Sequence, residues 1–168
     1  MMCKLPVSVY ILIATVLGTL AFVNWDIYQK EQQLAKGKVV RLTLAPVDPR
    51  SLMQGDYMAL NYAIAAELRA RIAMEVGDGL LQVKLDENQV AQLVSVDNGS
   101  EAKKLSSSDI INIQYRVRHK QIKFASNAYF FEEGQAKRYE AAKYGQFRVN
   151  QQGALLLESM LDKDFKPL

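Results

Sequence analysis

Residues 111–118 read Ile111-Asn112-Ile113-Gln114-Tyr115-Arg116-Val117-Arg118. Ile111, Ile113, Tyr115 and Val117 take one parity, and the polar residues take the other. Successive side chains of a strand point to opposite faces, so this alternation predicts a strand with one buried and one wet face. A tight turn near His119-Lys120 returns the chain to Ile122 and Phe124 as a hairpin.

Working toward the N-terminus, Val94-Ser95-Val96 ends one run. Leu81, Val83 and Leu85 alternate with Gln82 and Lys84 in another, and Asp86-Glu87-Asn88 makes the turn between them. Gly77-Asp78-Gly79 ends a short amphipathic helix predicted over 65–76, where Leu68, Ile72 and Val76 recur every four residues. Tyr57 to Ile64 alternates with Met58, Leu60, Tyr62 and Ile64 on one face, and Gly55-Asp56 turns into it. Val40, Leu42 and Leu44 mark a strand over 38–44. The prolines of Ala45-Pro46-Val47-Asp48-Pro49-Arg50 make the next connection rigid.

Toward the C-terminus, Glu132 to Tyr144 reads as a helix, with acids at its start, Lys143 near its end and Gly145 past it. Phe147–Val149 and Ala154–Leu161 form a last hairpin around residues 150–153. About seven strands and two or three short helices result. Their hairpin order predicts an α+β fold, mostly β, built on an antiparallel sheet or small barrel.

The N-terminal end is different in kind. Val7 to Trp25 is a run of 19 residues without a charge. At roughly 1.5 Å per residue it reaches about 28 Å, close to the hydrocarbon thickness of a bilayer. A backbone in lipid must satisfy its own hydrogen bonds, so a transmembrane helix is expected. Trp25 stands at the far end, where an indole favours the interface. The alternative is a signal peptide cleaved after Thr19-Leu20-Ala21, a mediocre small-x-small site. The length of the run and its helical continuation through Trp25, Tyr28 and Leu34 favour an anchor. Lys4 and the amino terminus place residues 1–6 in the cytoplasm. Residues 7–25 then form the anchor, 26–37 a juxtamembrane helix stopped by Gly37, and 38–168 a β-rich domain outside.

The composition sharpens this division. The chain has 168 residues and a net charge of +3, yet Lys4 is the sole charged residue among the first 25. The remainder is enough for one domain. Its near-balanced charge argues against a nucleic-acid partner, which requires a basic stripe. One cysteine excludes a disulfide framework, and one histidine excludes a histidine-rich metal site. Cys3 precedes the apolar run and reads as an inert thiol, with palmitoylation as the alternative. No phosphate-binding glycine loop or metal-ligand spacing appears, so no cofactor and no metal is expected.

The segment Gly55-Asp56-Tyr57-Met58-Ala59-Leu60-Asn61-Tyr62 matches every fixed position of the pattern that names the GDYXXLXY family. Leu44 to Arg50 is similar to that family's lead-in. Phe130-Phe131-Glu132-Glu133-Gly134, Ala136, Tyr139-Glu140, Ala142, Tyr144-Gly145 and Arg148-Val149 resemble its C-terminal signature, with Lys143 where arginine is expected. The chain thus resembles a group of bacterial membrane-anchored proteins over nearly its whole length. The resemblance implies an inner-membrane protein with one span and a periplasmic β-rich domain. It also implies a multi-span membrane partner beside the lipid bilayer, and no known activity.

The candidate binding residues are Arg50, Asp56, Tyr57, Tyr62, Tyr139 and Glu140; none is assigned a catalytic role. Asp56 reads first as a turn aspartate capping backbone N–H groups and second as a general base. Arg50 is placed to pair with Asp48 or Asp56, or to bind an anion. Tyr62 reads as core with its hydroxyl satisfied at the rim, and Tyr57 as an exposed contact. Tyr139 reads as a packing residue with a polar tip. The sharper alternative is a pocket where Tyr139 and Glu140 meet residues 55–57. An accessory or interaction module of a membrane assembly is the preferred function. A membrane-anchored periplasmic hydrolase or small-ligand binder is the alternative. The hydrolase would need Ser51 with a lysine base, or His119, which reads as an exposed turn residue.

Overall fold

The computed structural model describes residues 6–45, 57–72, 77–97 and 110–168. In chain order they form α1 (Val7–Lys36), β1 (Lys38–Thr43), β2 (Tyr57–Ala59), α2 (Ala63–Arg69), β3 (Gly77–Leu85), β4 (Ala91–Asp97), β5 (Ile110–Arg118), β6 (Gln121–Lys123), β7 (Ala128–Phe130), α3 (Ala136–Tyr139), β8 (Tyr144–Val149) and β9 (Leu155–Leu161).

The 30-residue α1 is long and apolar enough to cross a membrane, and its apolar part is not buried against the rest of the chain. Three polar side chains of the apolar part are satisfied locally. Thr15 and Thr19 donate to the carbonyls of Ile11 and Thr15 at 2.9 Å, and Asn24 donates to that of Leu20 at 2.8 Å. Back-bonding one turn earlier removes the donors that hydrocarbon would leave unpaired. The helix continues without a break through the polar residues after Trp25 and stops at Gly37, as the sequence predicts.

Three antiparallel sheets follow, ordered β1-β8-β9, β2-β7 and β4-β3-β5-β6. The two larger sheets are joined at two places and the sheet curls as a half-barrel. The amide of Arg41 donates to the carbonyl of Gln89 at 2.8 Å, joining β1 to the β3–β4 turn. The amide of Gln114 donates to the carbonyl of Gly153 at 2.8 Å, joining β5 to the β8–β9 turn. In β5, Ile111, Ile113, Tyr115 and Val117 are buried while Asn112, Gln114 and Arg116 are exposed, which is the predicted alternation. The inward faces of β1, β3, β5 and β8 close on one core that includes Val40, Leu42, Leu81, Val83, Ile113 and Phe147. Fully burying each such side chain contributes about 1.5–3 kcal/mol. Leu68 from α2 and Phe124 from the segment after β6 seal it.

Several boundaries differ from the sequence reading. The second strand ends at Ala59 instead of Ile64, because Tyr62 bridges Leu44 and α2 begins at Ala63. Residues 73–76, the end of the predicted helix, lie outside the described residues. Gly77 to Gly79 extend β3 instead of forming a turn. Pairing with Val117, Arg116 and Tyr115 recruits them, and Arg118 closes on Asp78 at 2.8 Å. The helix predicted over Glu132–Tyr144 shrinks to the single turn of α3. Gly134 sits at φ +85°, outside helical space, and Tyr144 pairs with Thr43 as the start of β8. Ala136 is exposed and Gly145 is a buried strand residue, so neither has the role a long helix gives it. β7 was not anticipated. The described residues hold nine strands against about seven expected.

Candidate functional site

The eight-residue motif and the C-terminal signature meet in one short ribbon. β2 pairs antiparallel with β7, setting Tyr57 opposite Phe130, Met58 opposite Tyr129 and Ala59 opposite Ala128. The amide of Leu60 extends the pairing to the carbonyl of Asn127 at 2.8 Å. Directly opposed residues share a face, so Tyr57 and Phe130 meet on one side, with ring centroids 5.7 Å apart. Phe130 is 76% exposed, and among the described residues after α1 no other large apolar side chain approaches that value. Met58 and Tyr129 take the opposite face and pack against the core.

α3 lies beside β2 and adds Tyr139. Its ring stacks on Phe131 at 4.9 Å and leans on Tyr129 at 5.1 Å, with the Arg138 guanidinium 5.9 Å from its centroid. The hydrogen bond with Tyr139 holds the Tyr129 hydroxyl above the usual phenol range, and burial adds to the rise. Tyr57 and Phe130 therefore pair on the outer face from segments more than 70 positions apart, while Tyr139 stacks with Tyr129 and Phe131 and packs against the core. Glu140 closes α3 through its backbone N–H to the carbonyl of Ala136, and it is exposed.

Tyr62 acts from inside. Its ring meets Phe124 and Phe147 edge-on at 5.5 and 5.8 Å, and its hydroxyl donates to the carbonyl of Ser126 at 2.7 Å. Burial pushes its pKa up. Ser126 in turn donates to the carbonyl of Ala128 at 2.8 Å. The last tyrosine of the motif thus fixes the segment that delivers β7 to β2; it positions the ribbon.

Behind the ribbon an open cavity of about 460 Å³ lies between α2 and β6. Asn61, Arg69, Gln121, Lys123 and Asn127 line it beside small alanines. No carboxylate lines it, so its chemistry suits a small anion with apolar bulk.

Arg50, Asp56 and Ser51 lie outside the described residues. Of the predicted meeting of Tyr139 and Glu140 with residues 55–57, the structure brings α3 beside the strand that Tyr57 opens. The rings that touch Tyr139 belong to Tyr129 and Phe131. His119 stands at φ +52° in an exposed turn. No group of three potential metal ligands forms among the described residues. Sequence reasoning missed the pairing of Phe130 with Tyr57. Its signal is the aromatic run Tyr129-Phe130-Phe131, a strand former too short to show a period.

No curated protein and no solved structure matches the chain. A family model, described as GDYXXLXY protein, matches residues 19–160. That match takes in more than half of α1, both halves of the aromatic ribbon and most of β9, and on it the chain belongs to the GDYXXLXY family.

Proposed function

We propose that this protein is a single-pass, membrane-anchored accessory protein whose aromatic ribbon docks on a multi-span partner in the bacterial inner membrane. Residues 7–25 cross the bilayer with the N-terminus in the cytoplasm, and the β-rich body stands in the periplasm. The observation that carries this reading is the Tyr57–Phe130 pair. Each of the two signature segments of the family gives one ring to this pair on the outer face, Tyr57 half-buried and Phe130 exposed. Exposed aromatic side chains on a rigid frame are what protein interfaces use as anchors. The unbroken α1 supports the choice of partner, because it confines the body to the reach of proteins in the same membrane.

The test is affinity purification of the full chain from mild detergent. A multi-span protein is expected to co-purify with the wild type, and Phe130→Ala is expected to recover less than a tenth as much. A clean monomer without a partner counts against the reading.

A second reading rests on the cavity with Arg69 and Lys123. There the chain binds a small anionic ligand. In that case Arg69→Gln with Lys123→Gln abolishes the phenotype of the protein while leaving the purified partner in place.

A further inference from the structure

Trp25, Tyr28, Gln29, Gln32, Gln33 and Lys36 recur at the three- and four-residue spacing of one helical face. The β8–β9 turn, Asn150 to Gln152, folds back along that face and borders an open crevice of about 380 Å³. Lys30 also borders it. Gln33 locks the two walls together, donating to the carbonyls of Arg148 and Ala154 at 2.9 and 2.8 Å. Asp26 and Glu31 belong to the same stretch of helix but do not line the crevice, and no carboxylate does.

The place of this crevice is set by the helix. With residues 7–25 across about 28 Å of hydrocarbon, Trp25 lies at the interface and the turns just after it lie among the headgroups. Trp25 and Tyr28 are 63% and 53% exposed, with rings 6.2 Å apart, as an interfacial aromatic pair would be. Two ammonium groups and a set of amide donors, free of carboxylates, suit a phosphodiester.

We infer that the crevice between α1 and the β8–β9 turn binds the phosphodiester headgroup of a bilayer lipid. The lipid clamps the body to the membrane surface on the leaflet that faces it. The inference rests on the membrane-spanning reading above. Phosphate oxygens take Lys30 with the side-chain amides of Gln29 and Gln32, Lys36 stands about 9 Å farther along the axis and adds its charge from the crevice's outer end, and the acyl chains run down past Trp25.

The test uses the full chain in mild detergent, with native mass spectrometry to count retained lipid. Phosphatidylglycerol is expected to bind at least tenfold more tightly than diacylglycerol of the same chains. Lys30→Gln with Lys36→Gln, both on exposed side chains, is expected to weaken it about tenfold. Gln29→Glu, which puts a carboxylate into the crevice, is expected to do the same. Equal retention of diacylglycerol, or no loss in either variant, overturns the inference. Full competition by 10 mM inorganic phosphate (about that concentration is enough for a millimolar site) assigns the crevice to free phosphate and also overturns it. Trp25 is the single tryptophan, so its quenching by brominated lipids in vesicles reports the span separately. Quenching greatest for labels near the headgroup supports the span. An unquenched Trp25 in a chain that carbonate extracts removes the span, and the headgroup site with it. Quenching without lipid selectivity removes the headgroup site alone.

Discussion

The side-chain amide of Gln33 donates to the backbone carbonyl of Arg148, 2.9 Å away and 115 positions later in the chain. A second bond reaches Ala154 at 2.8 Å, so one glutamine bridges the end of β8 and the start of β9. Gln33 is the buried residue of α1. It converts a helix that would otherwise swing about Gly37 into a strut, so the body is held at a set angle to α1.

Gln33→Ala is therefore expected to lower the stability of the β-rich body by about 2 kcal/mol, since two carbonyls lose their donor and remain partly shielded from water. Denaturant titration of the detergent-solubilised chain measures it. Spin labels on α1 and β9 should give a distance distribution that broadens in the variant. Glu31→Ala, exposed on the same helix and outside the crevice, should leave both readouts unchanged.

Tyr62 gives a prediction with a pH sign. Tyr62→Phe keeps the ring contacts with Phe124 and Phe147 but removes the hydrogen bond to Ser126, costing about 1 kcal/mol at neutral pH. Tyr62→Ala costs about 3–5 kcal/mol through the cavity it leaves. Burial raises the folded-state pKa above its ordinary value, so the unfolded chain loses the phenolic proton first as pH rises. This contribution is complete below pH of about 10 and declines above it. Melting curves of wild type and Tyr62→Phe should converge as the buffer is taken from neutral past that point. A gap that stays constant would show that the hydroxyl is not protected.

Legibility divides along range in sequence. β5 could be read because four buried and three exposed positions alternate within itself. The end of α1 could be read because Gly37 follows a run of helix formers. Residues 132–144 misled because alanine and charge suit a helix, while the deciding interaction is the pairing of Tyr144 with Thr43, about 100 positions away. β7, with three residues, has no period to show and exists only because β2 is there to pair with it. The same holds for the site. Tyr57, Tyr62 and Tyr139 could each be singled out from the motifs, but their division into surface, positioning and packing roles depends on register. The stripe from Trp25 to Lys36 is plain in the helix; the turn that covers it comes from the far end of the chain.

Gly153 joins the β8–β9 turn to the other sheet. It stands at φ +84°, and a Cβ built there would lie 2.8 Å from the carbonyl oxygen of Asn112. Its own carbonyl accepts the Gln114 amide, so the turn cannot retreat without breaking the join between sheets. Gly153→Ala is expected to cost about 2–3 kcal/mol, from the left-handed backbone and the backbone clash together. Gly153→Asn separates the two causes, because asparagine tolerates the left-handed region but carries the same Cβ. Gly153→Asn should lower the melting temperature, but by less than Gly153→Ala; full rescue by asparagine would mean that the clash relaxes.

Glu158 and Arg148 form a fork across β8 and β9, with Nε to Oε2 at 2.8 Å and Nη2 to Oε1 at 2.9 Å. Gln146 donates to the same carboxylate at 3.0 Å, and Arg148 also reaches the carbonyl of Gly37 at 3.3 Å, where α1 ends. The hydrogen bond from Arg148 holds the Glu158 carboxyl below the usual range, against an opposing push from burial. A depressed folded-state pKa means stability that is present above the unfolded value of 4.5 and is lost as pH falls through the folded value. Both side chains remain about a quarter exposed, so solvent screening limits the pair to about 0.5–1 kcal/mol. Glu158→Gln should therefore be less stable than wild type by that amount at pH 7, and the difference should close as the buffer is acidified below 4.5. Because Arg148 also holds Gly37, spin labels across the α1–β1 junction should report more motion in Glu158→Gln at pH 7. Acidified wild type should acquire the same motion, while an unchanged junction in both would confine the fork to the β8–β9 hairpin.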